Sequence, residues 1–73
     1  MTGRIVIDPK ICHGKPVIRG TRMPAALVLG SLAGGMTFEE TRREYDLTDE
    51  DIRAALELAA EAVAELKRLP QAV

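Results

Sequence analysis

Thr37-Phe38-Glu39-Glu40-Thr41-Arg42-Arg43-Glu44-Tyr45-Asp46-Leu47-Thr48-Asp49-Glu50-Asp51-Ile52 is the stretch that decides the fold. In it each of two threonines stands three residues ahead of an acid: Thr37 before Glu40, and Thr48 before Asp51. At that spacing the Thr hydroxyl accepts from the N–H of the third helical residue, and the acid reaches back to the N–H of the Thr. Two helices therefore begin here. The first is short, Phe38 to Tyr45, and the second runs from Asp49. Leu47, just ahead of the second cap, can pack on Ile52 and fix the angle at which the chain enters. A helix, a three-residue turn and a capped second helix give the outline of a helix-turn-helix.

Downstream, nothing breaks the second helix until Pro70, so it is expected to end near Leu69, about 30 Å long at 1.5 Å per residue. Ile52, Leu56, Ala59, Val63 and Leu66 recur at spacings of four, three, four and three. This is a coiled-coil-like seam of barely two heptads. Leu58, Ala62 and Leu69 widen it. Ile52 and Leu56 are expected to pack on the preceding helices, while Val63, Leu66 and Leu69 outrun them and are candidates for contact with another molecule.

Upstream, Pro24 suits a first helical position, and Ala25 to Ala33 is apolar almost all round before Gly34-Gly35 ends it. A helix without a polar face must be covered on every side, which the rest of so short a chain can hardly do. Further upstream lie two strand candidates, Arg4–Ile7 and Val17–Arg19. Asp8-Pro9 carries the residues of a type I turn, and Gly20 marks a bulge or a positive φ. The expected architecture is mainly α, with residues 4–22 a β-ribbon and loop and residues 24–69 a helical bundle, all within one domain spanning 1–73.

The 73 residues would bury only about 60% of the surface of the unfolded chain, so reinforcement is needed. The single cysteine, Cys12, excludes an internal disulfide, and with one histidine, His13, no four-ligand Cys/His zinc site can be built. A partner chain remains, and a homodimer or larger assembly is expected. The longest nearly unbroken apolar run, Met23–Met36, is too short for a bilayer span of about 20 residues and lies mid-chain, where no signal peptide would sit. A cytoplasmic protein with no membrane contact is the expectation.

Net charge is −1, yet residues 1–36 carry five basic residues against Asp8 alone, and residues 37–73 carry five against ten acidic ones. The asymmetry suits two kinds of partner, although small domains also carry uneven charge by chance. In a helix-turn-helix the start of the second helix normally enters the major groove. Here that start is Asp49-Glu50-Asp51, which opposes the phosphate attraction that dominates DNA affinity. Those acids suit the helix dipole instead. Any DNA contact falls to Lys15, Arg19 and Arg22 in the ribbon, with Arg42 and Arg43 as further phosphate contacts. The alternative for all five is ordinary solvated surface. Cys12-His13 is the nearest approach to a thiolate–imidazole pair, but neighbours in a strand point to opposite sides. No enzyme, metal site or cofactor is expected.

The run Ile7-Asp8-Pro9-Lys10-Ile11-Cys12-His13-Gly14-Lys15-Pro16-Val17-Ile18-Arg19-Gly20-Thr21-Arg22-Met23-Pro24 resembles the signature of a bacterial and archaeal family, domain of unknown function 433. The likeness continues through Leu32–Thr37, Glu39-Glu40 and Leu47–Leu56, about residues 5 to 60. His13 departs from the small or polar residue common in the family, and Tyr45-Asp46 lacks a proline often found there. The resemblance implies a three-helix homeodomain-like or winged helix-turn-helix bundle. It also implies a VapB-type antitoxin role, in which one part of the protein binds its own operator and another occupies a PIN-like ribonuclease. Val63, Leu66 and Leu69 would then dock on the toxin, with Lys67 and Arg68 approaching its acidic metal site. The same stripe could instead close a homodimer. A structural interaction module without nucleic-acid binding is the alternative function.

Overall fold

The computed structural model describes residues 3–66. The expected helix end near Leu69, with the partner candidates Lys67, Arg68 and Leu69, lies outside them. Two strands precede three helices: β1 (Ile5–Val6), β2 (Val17–Ile18), α1 (Ala25–Ala33), α2 (Phe38–Tyr45) and α3 (Asp49–Ala64). This is the mainly helical small domain with a short N-terminal hairpin that the caps and the β-branched runs predict.

β1 and β2 are antiparallel, with Ile5 opposite Ile18 and Val6 opposite Val17. Both strands are shorter than predicted; Ile7 already turns outward and is exposed. Asp8 closes the expected turn twice. Its carbonyl accepts from the Ile11 N–H at 2.8 Å, and its carboxylate accepts from the Lys10 N–H at 2.8 Å. Past β2, Gly20 takes φ +80°, as its place after a strand predicts, so that Thr21 can donate its N–H to the Ile18 carbonyl at 3.0 Å. The Thr21 hydroxyl donates to that same carbonyl at 2.7 Å and accepts from the Met23 N–H at 2.9 Å. These bonds swing Met23-Pro24 back beside β2, where Val17 and Pro24 form a bridge. Pro24 is consequently the residue before α1, in extended conformation, and not its first helical residue as predicted.

Both capping boxes are present. The Glu40 N–H donates to the Thr37 hydroxyl at 3.0 Å and the Thr37 N–H to the Glu40 carboxylate at 2.8 Å; at Thr48 and Asp51 the two distances are 3.1 Å. Between the helices Asp46 takes φ +55°. Asp tolerates this left-handed conformation because its short polar side chain can bond locally, so α2 ends there without a proline.

The core is aliphatic: Ile5, Ile18, Ala25, Val28, Leu47, Ile52, Ala54 and Ala55, with Leu29, Leu32, Tyr45 and Leu58 half-buried around it. Leu47 and Ile52 both belong to that cluster. Leu56 does not follow Ile52 into it and is 39% exposed. The face of α3 that meets the core is carried by Ile52 and Ala55, with Ala54 on its flank, and side chains this small let the other elements approach closely. Leu56, about 100° further round than Ala55, is left at the edge. Thr41 is the one buried polar side chain among the described residues, and its hydroxyl donates to the Thr37 carbonyl at 2.8 Å. Ser31 and Tyr45 share a hydroxyl hydrogen bond of 2.8 Å that ties α1 to α2. α3 closes with a tightened turn, the Leu66 N–H donating to the Val63 carbonyl at 2.9 Å.

Thr48→Ala is expected to lower stability by about 1 kcal/mol, the usual cost of a lost cap. Asp51→Ala is expected to cost more, because Asp51 closes the capping box and also pairs with Arg4 of the ribbon at 3.0 Å. Urea unfolding of the two variants checks the order; equal midpoints would show that the Arg4 pair contributes nothing.

Candidate nucleic-acid interface

The ribbon displays Lys10, Lys15, Arg19 and Arg22 on exposed positions. Three of them follow from the turn chemistry just described. Lys15 stands at the exit of a turn in which Cys12, His13 and Gly14 all take positive φ (50°, 57° and 82°). The Lys15 N–H closes that turn on the Cys12 carbonyl at 3.1 Å. The expectation that Cys12 and His13 alternate along a strand is thereby corrected: they sit in a left-handed turn, and the Cys12 thiol donates to the Arg22 carbonyl at 3.3 Å. That bond joins the turn carrying Lys15 to the segment carrying Arg22. Arg19 follows β2 directly, and its Nε donates to the Gly3 carbonyl.

Arg42 and Arg43 are engaged elsewhere. Arg42 pairs with Asp49 across the helix corner, and Arg43 pairs with Glu39 one turn back along α2, at 3.3 Å between exposed groups. The acidic start of α3 is likewise occupied within the domain. Asp49 holds Arg42, while Asp51 holds both its cap and Arg4. Sequence reading missed Arg4 as the tie between hairpin and α3, since no local spacing links positions 4 and 51. Its only signal was an isolated arginine beside a β-branched run. Beside that pair an open recess of about 330 Å³ is lined by Gly3, Arg4, Glu50, Arg53, Ala54 and Glu57. Its mixed charge suits no ligand of one sign.

Of the predicted partner contacts, Val63 and Leu66 are 66% and 53% exposed. They lie beyond the last core residues of α3 and far along the chain from the ribbon. The exposed basic residues and the exposed apolar overhang are thus carried by different elements.

The family model described as a protein of unknown function, DUF433, matches residues 5–59. The chain belongs to the DUF433 family. A crystal structure of a DUF433 member from Anabaena variabilis superposes with a TM-score of 0.77 at 30% identity, covering 89% of this chain and 65% of that one. The Mycobacterium tuberculosis protein named "Putative antitoxin VapB45" is 38% identical over 56 residues, 77% of this chain and 23% of its own length. The structure of Rv2018 from Mycobacterium tuberculosis gives a TM-score of 0.64 at 38% identity, over 71% of this chain and 24% of that one. The chain therefore spans about a quarter of the curated relative that it matches. The DUF433 match takes in the whole basic ribbon and both capping boxes, and stops at residue 59, before Val63 and Leu66.

Proposed function

We propose that this DUF433 chain is an antitoxin-like, non-enzymatic regulator that binds its own operator through the ribbon and neutralises a PIN-like ribonuclease. The likeness to VapB45 supports the antitoxin role, because it extends over 56 residues, 77% of this chain, at 38% identity. The placement of charge supports the DNA arm. Lys15 and Arg22 have no ion-pair partner among the described residues and project from neighbouring turns, whereas the acids nearest the helix corner are already paired. Exposed cations neutralise phosphates and release counterions; cations held by carboxylates must first give up a partner.

Assembly as a homodimer belongs to the same reading. α1 buries Ala25 and Val28 but leaves Ala26, Leu27, Gly30 and Ala33 exposed, and carries no charged residue. A second copy would cover that face, as the all-apolar sequence of α1 predicts. No helix among the described residues is long and apolar enough to cross a membrane.

Co-expression with the product of an adjacent PIN-like reading frame tests the proposal. Growth arrest by the nuclease alone is expected to be relieved by this chain, and the chain is expected to shift a DNA fragment carrying its own promoter. Relief of arrest without any promoter binding would favour the second reading, a protein–protein module without nucleic-acid affinity, for which the internal pairing of Arg42 and Arg43 speaks. Failure of both assays overturns the proposal. Light scattering at micromolar concentration is expected to give at least twice the 7.9 kDa of one chain, with a melting point that rises with concentration because folding and assembly are linked.

A further inference from the structure

Asp51 ties the start of α3 to the ribbon, and each of its two oxygens has a separate task. Oδ2 accepts from the Thr48 N–H at 3.1 Å, closing the cap. Oδ1 accepts from the Arg4 guanidinium at 3.0 Å. The Asp51 side chain is 15% exposed, against 50% for Arg4, so this pair is better shielded from water than an ordinary surface pair. From Arg4 the contacts continue into the basic surface. The Arg4 carbonyl accepts from the Arg19 N–H at 2.7 Å, and the Arg19 Nε donates to the Gly3 carbonyl. Arg19 leads through Gly20 and Thr21 to Arg22, whose carbonyl accepts from the Cys12 thiol in the turn that carries Lys15. A continuous series of contacts thus runs from the start of α3 to Lys15, Arg19 and Arg22.

Strands of two residues each are marginal by themselves. Ile5 and Ile18 anchor one face of the ribbon in the core, but apolar contact is non-directional and does not fix the ribbon's tilt against α3. A charge-assisted hydrogen bond supplies direction. We propose that Asp51 is a positioning residue for DNA binding: through Arg4 it sets the ribbon against α3 so that Lys15, Arg19 and Arg22 meet the phosphate backbone together. The proposal rests on the operator reading for the site and adds the residue that orients it. Charge alone predicts the reverse, because a carboxylate beside a phosphate-binding surface repels DNA and its removal should tighten binding.

The test compares Asp51→Asn with Asp49→Asn in the full chain. Fluorescence anisotropy on promoter DNA is measured at a temperature where circular dichroism shows every variant folded. Both changes remove one negative charge from the first turn of α3. Asparagine has one acceptor oxygen where Asp51 uses two, and no charge to hold the guanidinium. Asp51→Asn is expected to weaken promoter binding about threefold or more, because only molecules with the ribbon correctly set are competent to bind. The slope of log K against log salt should stay the same, since the same phosphates are neutralised. Asp49→Asn should leave binding unchanged or tighten it. Thr48→Ala weakens the same capping box without touching Arg4, and should bind the promoter as the parent chain does. In an Arg4→Met background the loss caused by Asp51→Asn should vanish, as coupling through Arg4 requires. Promoter binding by Asp51→Asn as tight as the parent's, or tighter, overturns the proposal. An equal loss in Thr48→Ala also overturns it, by making the effect one of helix capping, and so does an undiminished loss in the Arg4→Met background. If the parent chain itself does not bind the promoter, the operator reading falls and this proposal with it, a result that no variant comparison can mimic.

Discussion

Ile52→Ala is expected to leave the domain largely unfolded at room temperature, while Leu56→Ala, one helical turn along the same predicted seam, is expected to be nearly silent. Ile52 is fully buried between the hairpin and the helices, whereas Leu56 is 39% exposed. Truncating a buried Ile to Ala costs about 2–5 kcal/mol, transfer and cavity together. A domain of this size holds roughly 4–11 kcal/mol in total, and a short aliphatic core places it near the lower end. Ile52 also shares the core cluster with Leu47, which precedes the cap of α3, so its loss is expected to loosen the entry of α3 as well as its packing. Urea unfolding followed by far-UV circular dichroism measures both variants at a fixed protein concentration, since assembly shifts the midpoint. Similar midpoints for I52A and L56A would mean that α3 is buried along the seam the sequence suggests, and that Ile52, Ala54 and Ala55 do not mark its core face.

That contrast shows how far the sequence was legible. Both capping boxes, the end of α2 ahead of Asp46, the Asp8 turn and the positive φ of Gly20 are local: each depends on residues within four positions of one another, and each was readable. The family pattern was readable for the same reason, because its signature is a run of turn chemistry from Ile7 to Pro24. What escaped was non-local. Periodicity groups Ile52 with Leu56 because both fit a heptad, but the core takes Ile52, Ala54 and Ala55, and only the positions of α1 and β1 explain why alanines are buried where a leucine is not. The Arg4–Asp51 pair joins residues 47 apart in sequence, and Arg42–Asp49 spans a corner whose geometry no spacing rule specifies. The Cys12–His13–Gly14 turn reads as strand in the sequence because its two non-glycine residues take a left-handed conformation that such residues rarely adopt. It is held there by the Lys15 N–H and by the thiol bond to Arg22, neither visible as a local motif.

The pairing of cations separates the five arginines and lysines proposed for DNA. Lys15→Ala/Arg22→Ala is expected to reduce promoter affinity strongly and to lower the slope of log K against log salt by about two, one for each phosphate no longer neutralised. Neither side chain has an ion-pair partner among the described residues, so the fold should be unaffected. Arg19→Ala is less clean, since Arg19 also holds the Gly3 carbonyl. Arg42→Ala should act mainly on stability, because it strips Asp49 of its partner. Asp49→Asn gives the opposite sign: it releases Arg42 and removes a negative charge from the helix start, so promoter binding should be unchanged or tighter. The measurement is a fluorescence anisotropy titration of promoter DNA between about 50 and 200 mM salt, the range over which counterion release changes affinity by orders of magnitude. If Asp49→Asn abolished binding while Lys15→Ala/Arg22→Ala left both affinity and salt slope intact, the reading element would be the start of α3. Its carboxylates would then be accepting hydrogen bonds from cytosine amino groups, and the ribbon would be a surface of another kind.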